Sequence, residues 1–118
     1  MKKIAITFNL LSSLLLLLLA TPAQAMKISE FSQICASTPA PCADIPLIRA
    51  YVGGALDLLA SLDENTEYLT QIYCKPAQEL FDAARIIQFM QSHQNENPAR
   101  NAMVLVIQYM EEEGGCSQ

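Results

Sequence analysis

Four cysteines, Cys35, Cys42, Cys74 and Cys116, carry the most definite chemistry in this chain of 118 residues. Their spacings, Cys35-x6-Cys42 and Cys74-x41-Cys116, contain no C-x-x-C pair, which argues against a zinc site or a thioredoxin-like dithiol. An even cysteine count in a small exported domain favours two disulfides, because so small a core gains from covalent ties. Oxidised cysteines offer no thiolate, so a nucleophile would need serine with a histidine base. His93 is the only histidine, and it sits among polar residues at a predicted helix end. Asp57 stands alone, without the second carboxyl group that glycosidase chemistry requires. Glu111-Glu112-Glu113 is the one carboxylate cluster, but consecutive helical residues point in different directions and cannot close around a metal. That run reads as a solvated helix end, placed against the helix dipole and open to a basic partner. We expect no catalytic residue, no metal site and no cofactor, and therefore no enzyme.

The N-terminus has the three parts of a secretory signal peptide. Lys2 and Lys3 form its basic start, and Ile4 to Leu19 its apolar stretch. Pro22 breaks the helix, and Ala23-Gln24-Ala25 supplies small residues for cleavage. Residues 1–25 are thus a cleavable leader and 26–118 a single domain. An uncleaved anchor is the competing reading. It is disfavoured by Thr7, Asn9, Ser12 and Ser13, which interrupt a run already short against the ~20 apolar residues of a span. No cysteine follows the cleavage point to take a lipid, and no stretch after Met26 is long and apolar enough to span a membrane. Without Lys2 and Lys3 the chain keeps five basic residues against 12 acidic ones, a net charge of −7. Nucleic acid and anionic membranes are poor partners for such a surface, whereas a basic protein is compatible.

The elements that position these residues are helical. Ile28, Phe31, Ile34 and Cys35 predict a short helix over 29–36 with Ser29 as its N-cap. The Pro-rich turn 37–41 ends it. Asp44 caps a second helix running to about Leu62, whose apolar positions Ile48, Val52, Ala55, Leu59 and Leu62 have Tyr51, Leu56 and Leu58 beside them. Together these make a wide buried face. Gly53-Gly54 in its middle costs about 1 kcal/mol per glycine relative to alanine, which suggests a helix crossing closely there. Asp63 to Glu67 is an acidic connection, and Tyr68 to Tyr73 a further turn or an extended strap. A third helix is expected over 77–92, with Leu80, Ala84, Ile87 and Met90 or Gln91 on one side. Asn97 and Pro98 open a fourth, which Gly114 stops. Met103 to Ile107 is apolar all round, as in a helix buried on several sides. The fold class is an all-α antiparallel bundle of about four helices.

Helices three and four are each about 16 residues, or roughly 24 Å long. Folded as an antiparallel hairpin, their outer ends are level, and Cys74 and Cys116 stand beside each other. A disulfide there would clasp the hairpin, and Cys35–Cys42 would bridge the Pro-rich turn. The rival pairing is Cys35–Cys74 with Cys42–Cys116.

The order Tyr51-x-x-Gly54-x-x-Asp57, Tyr73-Cys74-Lys75-Pro76, Asn97-Pro98 and Cys116 resembles the Rap/Tai-type immunity proteins of Gram-negative bacteria. The resemblance covers the chain from Tyr51 to Cys116. It implies a periplasmic helical protein that binds and blocks a toxin delivered by type VI secretion, such as a cell-wall amidase. It implies a homodimer for some members. Occlusion of the toxin's active site would be the mechanism, with Tyr51, Gly54, Asp57, Pro76 and Pro98 as structural positions. The acidic residues Asp63, Glu64 and Glu67 beside Tyr68 are the predicted contact surface, since a tyrosine among acids suits a polar interface. A small periplasmic stress chaperone of the acid-activated helical type is the alternative. It shares export, size and disulfides, and would expose apolar surface at low pH.

Overall fold

The computed structural model describes residues 24–117, so the predicted leader up to Ala23 and the final Gln118 lie outside it. The first helix, α1 (Ile28–Ala36), begins where the Glu30 carboxylate accepts the Lys27 backbone N–H at 2.8 Å. This side chain closes the helix start one turn back, so the cap position is Lys27 and not Ser29. Ile28 and Phe31 are fully buried, while Ile34 and Cys35 pack at the core's edge. The second helix, α2 (Pro46–Asn65), has proline in its favoured first turn and Ile45 as N-cap. Asp44 instead closes a 3-10 turn, Cys42–Asp44. α2 also runs three residues past Leu62, because Asn65 Nδ2 donates to the Ser61 carbonyl at 2.7 Å. Thr66 then closes it with two bonds to the Leu62 carbonyl.

A second 3-10 turn, Tyr68–Gln71, leads to three further helices, α3 (Ala77–Leu80), α4 (Ala83–His93) and α5 (Met103–Glu113). The predicted third helix is therefore two. Phe81 leaves helical geometry, and the Asp82 carboxylate accepts the backbone N–H groups of Ala84 and Arg85 at 3.0 and 3.2 Å. An aspartate that caps a new helix outcompetes continuation of the old one. The restart shifts the phase, so that Ile86, Ile87 and Met90 are buried while Ala84 is only partly so.

Asn97-Pro98 does not open the last helix. Residues 97–102 form turns whose backbone serves the start of the domain. The N–H groups of Ile28 and Ser29 donate to the carbonyls of Arg100 and Pro98, and Ala102 N–H donates to Met26. An isolated β-bridge, Lys27 with Asn101, is the only sheet-like pairing among the described residues. Asn101 then caps α5 by accepting the Met103 N–H at 2.9 Å.

Both disulfides form as the helix geometry suggests, Cys35–Cys42 with Cα atoms 4.8 Å apart and Cys74–Cys116 at 4.9 Å. At the clasp, the N–H groups of Cys74 and Lys75 both donate to the Gly114 carbonyl, at 2.9 and 2.8 Å. Gly114 keeps helical geometry, and Gly115 with φ 74° supplies the left-handed turn that ends α5. α4 and α5 run antiparallel: Asp82 and Arg85 lie near Tyr109 and Glu113, and the rings of Phe89 and Tyr109 meet edge to face at 5.5 Å. α2 packs across both, and Phe31, Ile48, Val52, Ile87, Met90 and Val106 share one buried core. Two intramolecular disulfides place the protein in an oxidising compartment. No helix of the described residues is long and apolar enough to cross a membrane.

Candidate functional site

The residues with catalytic side chains are used structurally. His93 Nδ1 lies 2.8 Å from the Phe89 carbonyl, which can only accept, so Nδ1 carries the proton. The Ser92 hydroxyl, 2.9 Å from that nitrogen, donates to the same carbonyl at 2.7 Å. Glu96 stands 3.9 Å from Nε2. Serine, histidine and glutamate are thus neighbours, yet the histidine nitrogen facing the hydroxyl is a donor and takes no proton from it. The histidine ring stacks on Phe89 with centroids 4.0 Å apart and finishes α4. Gln108 donates to Glu112 at 2.8 Å across the outer side of α5. No group of three metal-ligating side chains occurs among the described residues.

The outer side of α2 is different in character. At 100° per residue, Leu47, Tyr51, Gly54, Leu58, Leu62 and Asn65 fall on one strip. Ala50, Ala55 and Ser61 flank them, giving an arc of roughly 140° without a charged residue. Arg49, Asp57, Asp63 and Glu64, the four charged residues of this helix, lie outside the arc. The strip is open rather than buried: Leu47 is 57% exposed, Leu58 61% and Leu62 38%. These values correct the expectation of a buried face reaching Leu58 and Leu62. Ile107 on α5 is 46% exposed, so that helix too has one open apolar side.

Between them runs a groove of about 370 Å³, where Tyr51, Gly54, Ala55 and Leu58 of α2 face Met103, Val106 and Ile107 of α5. Tyr51 holds its wall. Burial pushes its hydroxyl pKa up, and the nearby Met103 backbone of α5 opposes part of the rise. Gly53 and Gly54 meet no helix at all, since a Cβ built on either would have nothing within 4 Å. The close-crossing expectation fails because α5 approaches α2 further round the helix, on the side of Ala55. Gly54 instead leaves a notch in the groove. Replacing Gly53 or Gly54 by alanine should therefore stabilise the fold by about 1 kcal/mol each, read as a rise in the urea midpoint.

The positions that carry the sequence resemblance separate in space. Tyr51 and Gly54 line the groove and Asp57 is exposed just outside it, whereas Pro76 caps α3 and Pro98 belongs to the turn beside α1. Of the predicted contact residues, Asp63 and Glu64 lie in the last turn of α2 and not in a loop. Glu67 and Tyr68 lie together with Thr70 and Gln71 at a shallow depression, where Tyr68 is 79% exposed. Leu58 and Leu62 on α2 and Ile107 on α5 were expected as core, and the uncharged arc of α2 was the signal that could have marked the two leucines as surface. No protein family, curated protein or solved structure matches the chain.

Proposed function

We propose that this chain is a periplasmic immunity protein that binds a type VI secretion effector, such as a cell-wall amidase, and blocks it by occlusion. One observation carries the reading: a disulfide-stapled scaffold holds a long uncharged apolar strip of α2 open to solvent. Apolar side chains held out in a contiguous row are what a protein-binding surface needs. Supporting it are the leader expected from residues 1–25, the oxidising compartment that two disulfides require, and the motif order from Tyr51 to Cys116. Tyr68 and its acidic neighbours extend the polar rim of such an interface.

The test is co-expression in a bacterial periplasm with the product of the adjacent reading frame. Restored growth, with a stable complex on gel filtration, is the expected result. A toxic neighbouring product that this chain neither binds nor neutralises would overturn the reading. The same open apolar strip suits the stress chaperone. That alternative predicts protection of unrelated client proteins on acidification, which an immunity protein with one partner does not give.

A further inference from the structure

We propose that the groove between α2 and α5 receives an amphipathic helix of the partner, apolar along one face and edged with lysine or arginine. The inference rests on the immunity reading and adds the chemistry of the bound segment. The apolar strip from Leu47 to Leu62 extends roughly 22 Å along α2, enough for anchors at i, i+3/i+4 and i+7 of one docked helix. The Gly54 notch has room for an inserted side chain, with nothing within 4 Å of a Cβ built there.

Charge selects the occupant. Asp57 and Glu64 are exposed along the α2 edge of the strip, and Glu111 is exposed one turn beyond Ile107 on the α5 edge. No basic side chain among the described residues lines the groove. Three of the five cations after the leader are placed elsewhere, with Arg49 at the Ala43 carbonyl, Lys75 against Gly115 and Arg85 near Tyr109. An apolar floor between carboxylate edges complements a basic amphipathic helix. A second copy of this chain would bring the same carboxylates face to face, and like charges opposed across an interface disfavour the pairing.

Two synthetic helical peptides of about 18 residues, with one shared leucine face and either lysine or glutamate edges, test this on the oxidised protein by fluorescence anisotropy. The lysine-edged peptide should bind at least tenfold more tightly, and its advantage should shrink as salt rises. Gly54→Leu fills the notch from a Cβ that meets nothing within 4 Å, so the variant should keep its circular dichroism and lose at least tenfold in affinity. The double variant Asp57→Lys with Glu111→Lys should reverse the preference. Equal affinity for the two peptides overturns the proposal, as does binding indifferent to Gly54→Leu. So does a dimer in sedimentation equilibrium that Gly54→Leu dissolves. If the neighbouring toxin is neutralised by the Gly54→Leu protein as well as by the parent, the groove assignment fails and the immunity reading stands. If the peptide preference holds while no toxin is neutralised, the groove chemistry stands and the immunity reading fails.

Discussion

Replacing Cys74 and Cys116 together by serine is expected to lower the unfolding free energy by about 4 kcal/mol. The pair closes a ring with a sequence separation of 42 residues that contains α3, α4 and α5. Cutting it releases a large unfolded ensemble while the native contacts survive. The N–H groups of Cys74 and Lys75 still reach the Gly114 carbonyl without the sulfurs. The loss should therefore appear in the urea midpoint, with a steeper slope from a more expanded unfolded state and little change in the native circular dichroism. Removing Cys35 and Cys42 is the internal control. Their separation is only 7 residues, so the same chain-entropy reasoning gives about 2.5 kcal/mol. Equal losses from the two pairs, or a larger loss from the shorter ring, would show that entropy of the open chain is not what the clasp controls.

Gly114→Ala is expected to cost about 3 kcal/mol, at the upper end of what overpacking usually does. A Cβ at Gly114 would stand 2.7 Å from the Tyr73 Cβ and 2.8 Å from its Cα, and would overlap the Met110 carbonyl oxygen. Backbone and Cβ atoms cannot rotate away, so the strap before α3 must lift off α5. Lifting it strains the two hydrogen bonds to the Gly114 carbonyl and moves Tyr73, whose ring meets Phe81 edge to face at 5.8 Å. Gly115→Ala gives the comparison. It meets the flexible Lys75 side chain, which can move, so its cost is chiefly the positive φ of 74°. That should be about 1–2 kcal/mol. Equilibrium unfolding of the two variants under oxidising conditions checks the order. If Gly114→Ala proves the milder of the two, contact between strap and helix end is looser than the geometry indicates.

The helical class and both cysteine pairs were legible because each rests on local signals. Apolar spacing marks the helices, and the placement of Cys74 and Cys116 outside a helical hairpin marks the clasp. What was misread depended on competition between signals. Asp82 is a good N-cap, but it stands in a stretch whose apolar period runs through it, and only the capping bonds to Ala84 and Arg85 show which preference wins. Asn97-Pro98 has the composition of a helix start. Its turn is occupied instead by backbone bonds from Ile28 and Ser29, nearly seventy residues earlier, and no local pattern reports them. The groove was hidden for a related reason. Leu58 and Ile107 are apolar and sit on helices with buried sides, so residue type alone assigns them to the core. The absence of charge across the outer arc of α2 was readable, but its meaning depends on how far round the helix α5 reaches.

The bridge between Lys27 and Asn101 sets an order of events during synthesis. The backbone N–H groups of Ile28 and Ser29 find their acceptors in Arg100 and Pro98, and the Met26 carbonyl its donor in Ala102. A chain emerging from its N-terminus must wait for almost all of this domain before its first residues can dock. Pairings so distant in sequence are slow to form. The first residues of the described domain are therefore among the last to be locked.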